Sequence, residues 1–89
     1  DLVKYIELNP EDADNINLLG LAYLNTNRNE EAMKSLNRAI ELKPREAAFY
    51  FNRSLVYRIL KDRKGELADL LKAKDLGHPV PEGYINQLK

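Results

Sequence analysis

The sequence predicts an all-α fold, a stack of antiparallel helix hairpins closed by a short C-terminal capping helix. Three observations carry the prediction. The chain resembles itself at an offset of about 34 residues, the period of a two-helix repeat. Between the breaks, apolar residues return at helical spacing. Pro10 and Pro44 stand where one helix has to stop before the next begins.

The self-match is specific. Leu2, Leu36 and Leu70 share one register position, and Leu8, Leu42 and Leu76 share another. Ile6 falls on Ile40, Glu7 on Glu41, Pro10 on Pro44, Leu21 on Leu55, Tyr23 on Tyr57 and Ala39 on Ala73. Two unrelated amphipathic helices share some apolar phase by accident, but not the Tyr, Ala and Pro positions as well.

The elements follow in order. Residues 1–8 read as the end of a truncated helix, with a first full hairpin at 12–25 and 29–42. A second hairpin is expected at 46–60 and 63–76, and a short last helix at 81–88. Asn29 followed by Glu30 and Glu31 reads as an N-cap with acids in the first turn, where they oppose the helix dipole. Gly20 and Ala32 are small enough for two helices to approach closely, and Ala39 does the same towards the next hairpin. Such a hairpin cannot bury its apolar face alone, so neighbours have to stack.

The motif Ile16-x-x-Leu19-Gly20-x-x-Tyr23, then Ala32-x-x-x-Leu36, Ala39 and Pro44, resembles the tetratricopeptide repeat pattern. Ile16 stands where that family has Trp, and Leu36 where it has Phe. The second copy is looser: Tyr50-x-x-Arg53-Ser54-x-x-Tyr57, then Glu66-x-x-x-Leu70 and Ala73, with His78 in the expected Pro slot and Pro79 one residue late. Ile85-x-x-Leu88 repeats the spacing of Ile16-x-x-Leu19. The resemblance implies one tetratricopeptide-like superhelical domain over residues 1–89. Residues 1–10 end a truncated repeat, 13–46 and 47–80 form full repeats, and 81–89 cap the stack. Its truncated first helix and its start at Asp1 read as a piece of a longer protein.

Charge and composition narrow the function. Lys plus Arg and Asp plus Glu balance at 14 each, so the chain lacks the basic excess of a dedicated nucleic-acid binder or of a module docking on anionic membranes. No apolar run approaches the roughly 20 residues that span a bilayer. The absence of cysteine fits a reducing compartment and slightly favours the cytoplasm.

No constellation for catalysis, cofactor or metal is expected. His78 is the sole histidine and lies in the turn-like Gly77-His78-Pro79, where a solvated loop residue is the expectation. Ser54 takes the small-residue slot of Gly20 and reads as packing, and the glycines have neither phosphate-loop spacing. Arg58, Lys61, Arg63 and Lys64 cluster near one turn, read as a solvated interhelix turn offset by Asp62 and Glu66. Arg53 and Glu66 occupy slots where apolar or small side chains are usual, so the two are expected to compensate each other or to reach outward along their alkyl stems.

In tetratricopeptide arrays the first helix of each hairpin lines a concave groove. The resemblance assigns to it Asp14, Asn17, Leu21, Leu24 and Asn25, then Ala48, Phe51, Asn52, Leu55, Arg58 and Ile59. It implies a protein-interaction module for a peptide or partner protein. A structural spacer or cap of a longer solenoid is the alternative. The basic residues that clamp acidic chaperone tails in one branch of the family are missing: only Asn52 matches, beside Asn17, Leu21 and Ala48. Leu2, Val3 and Ile6, left without their own hairpin partner, imply a monomer or a weak homodimer through that edge.

Overall fold

The computed structural model describes residues 1–89, with α1 (Leu2–Leu8), α2 (Ala13–Asn25), α3 (Asn29–Leu42), α4 (Ala47–Ile59), α5 (Arg63–Asp75) and α6 (Glu82–Leu88) and no strand. Each helix lies within a residue or two of its expected bounds. The chain divides into two compact units, Asp1–Pro44 and Arg45–Lys89.

In the first unit α2 and α3 form the hairpin, and α1 packs on α2. Ala13, Ile16 and Gly20 of α2 are buried, as are Ala32, Leu36 and Ala39 of α3. Gly20 fits a close approach: a Cβ on it would lie 3.0 Å from Leu36 Cγ, and the leucine would have to give way. Leu36 is fully buried, worth about 1.5–3 kcal/mol against exposure.

Capping explains the starts. Asp1 and Asp12 accept from the backbone N–H of Lys4 and Asn15 at 3.0 and 3.2 Å. For α3 the sequence expectation needs correction. Asn29 is the first helical residue, and the cap position belongs to Arg28, whose side chain makes no capping bond. Asn29 Oδ1 is buried without a hydrogen-bond partner. Glu30 and Glu31 do occupy the first turn.

In the second unit α4 and α5 repeat the hairpin and α6 lies on α5. Leu70, Val80 and Ile85 form its core cluster, with Phe51, Leu67, Tyr84 and Leu88 packed against it. Ser54 is buried in the Gly20 slot, and its hydroxyl donates to the Phe51 carbonyl, so the polar atom carries its own partner. Gly65 has a role the sequence did not reveal. A Cβ there would meet the Tyr57 ring at 2.8 Å.

Three helices end in the same way. The residue after the cap is left-handed, at Asn27 (φ 62°), Lys61 (φ 60°) and Gly77 (φ 104°). The following N–H groups of Arg28, Asp62 and His78 reach back to the carbonyls of Tyr23, Tyr57 and Ala73 at 2.8–2.9 Å. Asn27, Lys61 and Gly77 donate one turn further on, to Leu24, Arg58 and Lys74. These are Schellman closures, which satisfy the last carbonyls of a helix.

Candidate partner-binding face

Along α2 and α4, burial and exposure alternate with the helical turn. Ile16 and Gly20 on α2, and Tyr50 and Ser54 on α4, turn inward. The residues assigned to binding turn elsewhere. Asp14, Asn25, Ala48, Arg58 and Ile59 are exposed, and Asn17, Leu21, Leu24, Phe51, Asn52 and Leu55 are half-buried. Leu18, absent from that assignment, is exposed as well, at 52 %. The signal was present, because Leu18 holds the register position of Asn52 one repeat earlier.

Asp14 and Phe51 are among the residues occupied within their own unit. Asp14 pairs with Lys43 at 3.4 Å. Phe51 packs on the core cluster and against the ring of His78, centroids 4.4 Å apart and tilted by 30°. His78 is therefore half-buried and ring-stacked, not the solvated loop residue expected from its turn. A helix end that closes through Gly77 turns the next residue back over the hairpin, which a turn signal alone does not reveal.

The polar residues of the α4–α5 seam also need correction. Arg53 and Glu66 do not compensate each other. Arg53 Nε and Nη2 donate to Asp69 Oδ2 and Oδ1 at 2.7 and 2.8 Å, a two-pronged pair. Its guanidinium lies 5.6 Å from the Tyr50 ring centroid and 5.8 Å from that of Tyr57. The Asp69 carboxylate, hydrogen-bonded and almost fully buried, holds the Arg53 pKa above its ordinary value, against the opposing effect of burial. Glu66, buried, accepts instead from the Tyr84 hydroxyl at 2.5 Å. Burial, then the bond to Glu66, raises the Tyr84 pKa, while Arg58 works against the rise.

Arg58 Cζ lies 5.4 Å from the Tyr84 ring centroid. Of the neighbouring cations, Arg63 donates to the Gln87 carbonyl at 2.8 Å, which closes the end of α6. Lys74 pairs with Glu82 and lowers its pKa. In the first unit Asp12 accepts from the Asn15 side-chain amide at 2.8 Å and from the Tyr5 hydroxyl at 2.9 Å. Those bonds, Asn15 foremost, hold its pKa below the ordinary carboxylate range.

A depression of about 520 Å³ lies at the α1–α2 turn, lined by Asn9, Pro10, Glu11, Asp12 and Arg38, and includes none of the residues assigned to binding. No group of three or more His, Cys, Asp and Glu side chains could hold a metal ion. No helix is long and apolar enough to cross a membrane.

Comparison with known proteins returns one repeat family. A family model described as tetratricopeptide repeat matches residues 2–34, and one described as TPR repeat matches residues 20–58. Among solved structures, the MSR-1 form of MamA superposes with a TM-score of 0.80 at 31 % identity, covering 84 % of this chain and 43 % of that one. The AMB-1 form of MamA gives 0.81 at 26 %, covering 93 % and 45 %. YrrB, described as a TPR protein with an unusual peptide-binding site, gives 0.83 at 25 %, covering 99 % and 44 %. The chain thus spans less than half the length of each of these three relatives. No curated protein sequence matches it at a significant level. The two family matches together run from residue 2 to residue 58, and with the hairpins and the solved relatives they place the chain in the tetratricopeptide repeat family, as an all-α helical-repeat protein of the kind that serves as an interaction scaffold.

Proposed function

We propose that each hairpin offers the open face of its first helix to a peptide or partner protein. In the first repeat that face comprises Asp14, Asn17, Leu18, Leu21, Leu24 and Asn25. In the second it comprises Ala48, Phe51, Asn52, Leu55, Arg58 and Ile59. The observation that carries the reading is exposure. None of these residues is buried, although buried seam residues lie between them on the same helices. The mixture of aliphatic area, amides and one guanidinium suits peptide capture, where apolar contact supplies affinity and a few polar groups fix orientation. The peptide-binding site for which YrrB is described supports the same class of partner.

The test is capture of partners by the intact array, comparing wild type with Leu55→Asp and Asn52→Ala. Loss of a saturable partner in both variants, with helix content unchanged, supports the reading. Retention of every partner in both leaves a spacer role in a longer solenoid.

A further inference from the structure

We propose that Arg58 is the anion-reading residue of the second repeat's open face, and that the peptide it fits carries an acidic side chain beside an aliphatic one. This deepens the function proposed above and rests on it.

Arg58 enters none of the ion pairs of the chain, which join Arg38 to Glu41, Lys43 to Asp14, Arg53 to Asp69 and Lys74 to Glu82. The carboxylates nearest to it along the chain are already committed. Asp62 caps α5 by accepting from the Gly65 N–H at 3.0 Å, and Glu66 accepts from Tyr84. Arg58 is therefore an exposed cation outside the salt bridges of the chain.

It is also held in place. Its guanidinium lies against the Tyr84 ring, and that ring is fixed from behind by its hydroxyl bond to Glu66, a buried carboxylate. A guanidinium held over a ring that is itself hydrogen-bonded has lost part of its rotamer freedom before any ligand arrives, which lowers the ordering cost of binding. Its planar fork then matches a carboxylate in the two-pronged manner that Arg53 and Asp69 show in the same unit.

The apolar half of the ligand follows from the helix period. Leu55, Arg58 and Ile59 stand three and four residues apart on α4 and share one face. Ile59 is 47 % exposed and Leu55 half-buried. Charge complementarity selects the sign. Lys61, Arg63 and Lys64 lie at the same end of the unit and, with Arg58, outnumber Asp62 and Glu66, so the local field favours an acidic segment over a basic one.

The experiment uses the 15N-labelled 89-residue chain at low ionic strength with two synthetic probes, a heptapeptide of alternating Leu and Glu and its Gln counterpart. The expected result is saturable amide shifts at residues 55–59 and 84, with the Glu peptide bound roughly fivefold more tightly. Arg58→Gln should erase that difference, and Arg58→Lys should keep part of it. Equal binding of both peptides, with shifts on the same face, would overturn the role of Arg58 and leave the binding face standing. Absence of saturable shifts with either peptide would overturn the acidic-partner proposal, while the capture test above still decides the function.

Discussion

Lys61 holds a left-handed backbone with no glycine to make it cheap. An L residue bears roughly 1–2 kcal/mol there, whereas glycine does not. Lys61→Gly should therefore raise stability by about 0.5–1 kcal/mol, read as a higher urea midpoint at unchanged slope. Arg28 is the complementary case. It occupies the position that Asp62 holds one repeat later, yet it leaves α3 uncapped where Asp62 caps α5. Arg28→Asp supplies an acceptor to the first turn and a negative charge to the positive end of the helix. The gain should be about 1 kcal/mol by the same measurement. At Gly65 the direction reverses. Gly65→Ala thrusts a methyl group to 2.8 Å from the Tyr57 ring, so the loss should be about 1–3 kcal/mol despite the better helix former.

Within the elements, the second hairpin exchanges apolar packing for polar pairing. Leu19, Ala32 and Ser35 of the first repeat become Arg53, Glu66 and Asp69 in the second. Asp69→Ala should cost about 2–3 kcal/mol, because it removes two charge-assisted bonds from a half-buried guanidinium. Replacing both members by leucine should cost less than the sum of the single changes, and a double-mutant cycle in urea measures the difference. The seam also marks where the sequence could and could not be read. Arg53 and Glu66 stand out because both break the apolar pattern. Asp69 does not, since its counterpart Ser35 is already polar. Glu66 and Asp69, three apart on α5, share one face, so two carboxylates compete for one cation. Only coordinates show that Tyr84, from the following helix, takes Glu66 and leaves Asp69 to Arg53. Helix bounds, by contrast, were legible throughout, because Pro and the apolar period act over a few residues.

At the scale of the molecule, acid and association are the accessible perturbations. Asp12 has a folded pKa below its unfolded one, so its stabilisation is complete above the ordinary carboxylate value near 4 and fades as pH falls through the lowered value. Asp12→Asn keeps a capping oxygen but loses that dependence, and its stability should fall less steeply between pH 5 and pH 2 in urea titrations. The α1 edge differs in detail from expectation: Val3, Tyr5 and Leu8 are the exposed large hydrophobic residues of α1, while Leu2 and Ile6 are half-buried. Sedimentation over a concentration series should show a monomer drifting towards a weak dimer, and Leu8→Glu should remain monomeric. The bond between Tyr84 and Glu66 has an optical consequence. With no tryptophan and only five tyrosines, the near-ultraviolet spectrum of the chain is a tyrosine spectrum. The phenol that anchors α6 gives up its proton later in alkali than an ordinary tyrosine, because burial disfavours its ionised form and that form would also face the Glu66 carboxylate. Tyr5, whose hydroxyl donates to Asp12, is shifted the same way, so it is in a Tyr5→Phe background that the late fraction of an alkaline absorbance titration gauges whether the last helix is seated.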